Sequence, residues 1–160
     1  MNNQEFLKQG VENYMEIRAT MLHFKSEMEK VFTTAILEHQ EENLEIWPID
    51  LQTAKPSITL HNITNYFSVT IKNKDKATLS VGISWEERKK ENPPIPRLHA
   101  ARWKSGNGKL GIQDPNSQYM TYDDFFCDRL TLKNGPFKFE NEQVLKKEIK
   151  NLLTELLKNF

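Results

Sequence analysis

One cysteine, Cys127, is all the sulfhydryl chemistry this sequence contains, and it sits in the apolar context FFCD. No internal disulfide and no thiolate zinc cluster is possible, and a reducing compartment suits the chain. No apolar run approaches the ~18 residues that span a membrane, so no membrane partner is expected. The opening stretch MNNQEFLKQG has neither the basic nor the apolar region of a secretory signal, which makes the cytoplasm the expected location. Catalytic spacings are missing too. The four histidines, His23, His39, His61 and His99, form no HxxxH or ExxH pair, so no helical metal site and no cofactor is expected.

What is present reads as a folded domain. The 160 residues are 38% hydrophobic and include nine Phe, four Tyr and three Trp, too aromatic for a solvating tail. A single domain over residues 1–160 is expected, burying roughly 68–70% of the surface of the unfolded chain. Net charge is zero but unevenly spread. Residues 1–50 hold ten acids and four bases, residues 51–109 four acids and eleven bases, residues 110–160 eight and seven. The basic middle segment is expected either to steer an acidic partner or to be answered by the acidic first helix packed beside it.

Periodicity sets the architecture. From Gln4 to about Glu42 there is no proline, and Leu7, Val11, Tyr14, Met21, Met28, Phe32 and Ala35 recur in steps of three, four or seven. That spacing predicts a helical region over 1–42. Arg18 and Lys25 fall on the same stripe, which suits a face running along a partner's surface better than one sunk in a core. A continuous helix of this length would reach about 60 Å, against about 40 Å for the body of a compact domain of this size. It must break near Gly10 or Ser26, or project and pack on another chain, and a homodimer through this helix is the expectation. Pro48 ends the helical region. An antiparallel meander of about four to six strands is then expected over 57–133, with Phe67, Val69 and Ile71 alternating in one strand and Leu79, Val81, Ile83 and Trp85 in the next. Their pairing should set Ile71 beside Leu79, Val69 beside Val81 and Phe67 beside Ile83. Asn141 is a suitable cap for a helix over 141–160 whose stripe is Leu145, Ile149, Leu152, Leu156 and Phe160. Helix, sheet, helix in this order predicts an α+β fold, with the C-terminal amphipathic helix packed on the sheet.

Two motifs point to chemistry. SGNGKLG, residues 105–111, has the glycine spacing of a dinucleotide turn, but Pro115 and the turn formers around it deny the helix whose N-terminus would meet a pyrophosphate. The glycines are expected to let the chain leave a strand. Glu87-Arg88-Lys89 resembles one half of the signature of PD-(D/E)XK nucleases, which implies a divalent metal held by acids and a lysine assisting attack on a phosphodiester. The upstream acid is not placed: Asp75 lies on the order of 40 Å away along the hairpin, and nothing in the sequence positions Asp50.

The partner-binding surface expected from the sequence is the basic strand and loop carrying Arg88, Lys89, Arg97, His99, Arg102, Trp103, Lys104 and Lys109, with Trp103 among bases and no acid from 92 to 113. A non-catalytic protein–protein interaction domain of the bacterial or phage accessory, inhibitor or immunity type accounts for these features. The alternatives are a nucleic-acid binder using 88–109 and a metal-dependent nuclease using Glu87 and Lys89.

Overall fold

The computed structural model describes residues 2–62, 66–74, 76–86, 95–103, 116–123, 127–133 and 136–158. The first element, α1, is one unbroken helix, Asn3–Glu42. Its start is written locally: Asn2 Oδ1 accepts from the Glu5 amide at 2.9 Å, and Glu5 Oε2 accepts from the Asn2 amide at 3.1 Å. This reciprocal capping box satisfies two of the amides that a helix start leaves open. Gly10 does not break the helix. Two short 3-10 turns, Leu44–Ile46 and Ile49–Leu51, lead to six strands and a final helix. The strands are β1 (Pro56–Asn62), β2 (Tyr66–Asn73), β3 (Lys76–Glu86), β4 (Ile95–Trp103), β5 (Tyr119–Asp123) and β6 (Cys127–Leu132), and the final helix is α2 (Glu142–Lys158). Asn141 caps α2 by accepting from the Val144 amide at 2.9 Å.

The fold is α+β, as the periodicities require. The sheet is antiparallel throughout, in the order β1-β2-β3-β4-β6-β5. The register of β2 on β3 sets Ile71, Val69 and Phe67 opposite Leu79, Val81 and Ile83. Only the last hairpin departs from a simple meander, because β6 lies inside β5. The reason is in the residues: Asp128, Leu130 and Thr131 of β6 are buried, which suits an inner strand, whereas β5 is five residues long.

Alternation gives the sheet two different faces. One carries Phe67, Val69, Ile71, Leu79, Val81, Ile83, Leu98, Ala100 and Leu130, and both helices pack on it. Phe32 of α1 meets Phe67 edge to face, ring centroids 5.3 Å apart. Leu145, Ile149, Leu152, Leu153, Leu156 and Leu157 of α2 complete the same core. The other face is polar: Ser68, Thr70, Ser80, Arg97, His99 and Thr131 alternate with the core set and are buried nonetheless. Gly82 lies on this face because the strands leave no space there. A Cβ would collide with the Phe67 carbonyl oxygen and with Ser68.

The C-terminal end of α1 is tied to its neighbours through one imidazole. Trp47 Nε1 donates to His39 Nδ1 at 3.0 Å, so the proton of the neutral ring is on Nε2, which donates to Thr154 Oγ1 of α2 at 2.8 Å. Thr154 in turn donates to the Lys150 carbonyl at 3.0 Å. Both ring nitrogens of His39 are bonded, and the residue is 1% exposed. Burial pushes the His39 pKa below its ordinary value of 6.5; Glu42 opposes that shift, Lys150 adds to it, and Glu45 opposes it. Since the unfolded chain then binds the extra proton, stability is fully present above pH ~6.5 and falls as the pH drops towards the depressed folded value. Urea midpoints between pH 7.5 and 5 should therefore fall on this limb, and His39→Gln should flatten it. A His39→Gln variant with the same pH slope as the parent would contradict the assignment.

Candidate interaction site

Every residue from Asn2 to Thr20 is exposed, so about five turns of α1, about 27 Å, stand clear of the body. This stretch is not polar all round. Phe6, Leu7, Val11, Tyr14, Met15, Ile17 and Leu22 are each between 49% and 67% exposed. At 100° per residue they lie on the side of α1 that further along carries Met28, Phe32, Ala35, Ile36 and His39 into the core. Glu5, Glu12 and Glu16 occupy the opposite side, while Arg18 and Lys25 sit within the apolar stripe. The stripe of the body thus continues, in phase and uncovered, along the projecting half.

Where the edge of the stripe marked by Phe6 and Ile17 reaches the body there is an apolar pocket of about 470 Å³. Phe24, Met28 and Val31 of α1 form one wall, Ile83 and Pro96 of the sheet a second, and Phe137 and Phe139 the third, with Glu27 and Glu142 on the rim. The third wall is held in place by a backbone bond from the Phe137 amide to the Pro96 carbonyl, 2.7 Å. Phe139 stays 53% exposed.

A second groove, between α1 and α2, is polar and about 490 Å³. Lys146 and Lys150 donate to Glu38 at 2.9 and 2.7 Å, and Lys150 also reaches Glu42 at 3.1 Å. These bonds, from Lys150 first and Lys146 second, hold the Glu38 carboxyl below its usual range. Such solvated pairs orient two helices but contribute little free energy. They also show what the carboxylates of the first helix meet. Among the described residues, these acids of α1 pair with lysines of α2 rather than with the basic middle segment.

The basic strand lies differently from an open binding surface. Arg97, His99 and Arg102 of β4 are 7%, 0% and 8% exposed. Arg102 turns to the helix-covered face and pairs with Asp128 at 3.3 Å, while Trp103, half-buried, turns to the polar face with Arg97 and His99. There Arg129 donates to His99 Nε2 at 3.3 Å, which leaves the proton of the neutral ring on Nδ1 because a guanidinium only donates. Thr131 Oγ1 donates to the Leu98 carbonyl at 2.7 Å. Arg88, Lys89, Lys104 and Lys109 lie outside the described residues, as do Glu87, Asp75 and the glycine stretch 105–111. Asp50 accepts from Asn73 at the turn between β2 and β3, the end of β3 away from Glu86. Among the described residues no three His, Cys, Asp or Glu side chains are grouped to hold a metal, and no helix is long and apolar enough to cross a membrane.

Sequence reasoning finds the projecting stripe but not the pocket. Its walls are more than a hundred residues apart in the chain, and the only local trace is the aromatic pair in FKF, 137–139. No family model, curated protein or solved structure matches the chain.

The Arg102–Asp128 pair is buried on both sides, 9% and 1% exposed at the side chains, and removing one partner of such a pair costs about 3–5 kcal/mol. Asp128→Ala should lose that much in urea unfolding, and Arg102→Met with Asp128→Leu should recover most of it. A loss below about 1 kcal/mol in Asp128→Ala would show a solvated pair of the surface kind.

Proposed function

We propose that this chain is a non-catalytic protein–protein interaction domain, a cytoplasmic accessory, inhibitor or immunity-type protein of a bacterium or phage, that docks through α1. One observation carries the reading: the apolar stripe that packs Phe32 and Ile36 into the core continues uncovered over Phe6, Leu7, Val11, Tyr14, Met15 and Ile17. A helix half that packs on nothing is marginal in water, since most helical stability in proteins comes from burying an amphipathic face. Contiguous exposed apolar surface of this extent marks an interaction site. The basic strand supports the reading less, because Arg97, His99 and Arg102 are already buried by the free chain. The single cysteine supports a reducing location.

The stripe residues from Phe6 to Ile17 are exposed and outside the core, so changing them should leave the fold intact while removing association. A photo-crosslinking amino acid at Tyr14, in the cell of origin, should capture a protein, either another copy or a different chain. The same group at Lys133, exposed on the body, should capture none. Equal capture from both positions, or none from Tyr14 in a folded protein, would overturn the proposal.

A further inference from the structure

We infer that the occupant of the stripe is a second copy of this chain, its α1 running antiparallel to the first, with Phe6 of each protomer seated in the apolar pocket of the other. The inference rests on α1 being the docking element and adds the partner, its direction and its anchor.

Direction follows from charge. In a parallel pair Arg18 would face Arg18 and Lys25 would face Lys25 inside the apolar stripe, two repulsive contacts in the part of the interface that excludes water. An antiparallel pair with its two-fold axis beside Met15 and Ile17 avoids both. It sets Arg18 against the ring of Tyr14, a favourable cation–π arrangement, and Val11 against Met21. The same axis brings Phe6 level with Ser26, within one turn of Phe24 and Met28 in the pocket wall.

Area agrees. With a large side chain taken at about 150–200 Å², the seven residues of the stripe leave roughly 800 Å² open, one partner's share of a standard interface. A two-fold pairing is self-complementary and closes, so both stripes and both pockets are filled at once. At 100° per residue the pocket wall on α1, Phe24, Met28 and Val31, lies along the edge of the stripe that Phe6 and Ile17 occupy.

The full chain at about 50 µM should sediment at twice 18.8 kDa, and Tyr14→Glu with Met15→Glu should sediment as one copy that melts where the parent does once dilution has made it a single copy too. A photo-crosslinker at Leu7 should join to peptides containing 24–28 or 137–139 of the other copy; joining to 3–11 instead would overturn the antiparallel direction. Phe139→Asp, on an exposed wall, should weaken the dimer at least about tenfold, and an unchanged dissociation constant would overturn the pocket as the anchor. A monomer at this concentration whose Tyr14 crosslinks to a different protein in the cell overturns the second copy and leaves the interaction reading standing; a monomer that captures nothing overturns both.

Discussion

The contact of Phe32 with Phe67 fixes the rotation of α1 about its own axis, and the rest of the molecule inherits that setting. Phe32 is wholly buried and its ring meets Phe67 at 71°. A helix has no freedom to change phase along its length, so turning Phe32 to the sheet also turns Ile36 and His39 inward and determines which side the exposed half presents. His39 then fastens the far end, through Trp47 on one ring nitrogen and Thr154 on the other. Between these points the direction of the projecting turns is set by packing more than 20 Å from their tip, by the rise of the helix. An arm held in this way is pre-organised, which reduces the ordering cost of docking.

The sheet divides its labour between faces. One face receives both helices and carries the aliphatic and aromatic core, with the Arg102–Asp128 pair on the same face. The other is lined by small hydroxyl residues, two arginines and a histidine, and its centre is buried. Buried polar groups favour one arrangement over others when they are bonded: the Arg129–His99 bond and the Thr131 bond to Leu98 tie β6 to β4 across that face. Those two links accompany the one departure from meander order, in which β6 rather than β5 lies beside β4.

Local rules made much of this legible. Alternation in β2 and β3 determined their register, because a slip by one residue would expose an entire apolar set. Asn141 and the apolar steps of α2 located the last helix, and the length of α1 against the size of the body called for a break or a projection. What alternation could not express was the exchange of β5 and β6, which depends on contacts between strands distant in sequence. Nor could a run of bases reveal its own burial. Arg97 and Arg102 look like surface charge until Asp128, 26 residues beyond Arg102, is brought opposite it. The pocket was hidden for the same reason, since Phe24, Ile83 and Phe139 meet only in the fold.

The central claim is that the projecting stripe is an interface closed by another copy of itself, and amide hydrogen exchange along α1 reads it most directly. Protection of residues 3–20 should rise with protein concentration, because those amides gain a buried face only on association, while protection of 31–42 stays constant because Val31, Phe32, Ala35, Ile36 and His39 are already buried in one chain. Fast exchange over 3–20 that is the same at the lowest and highest concentrations would contradict the account.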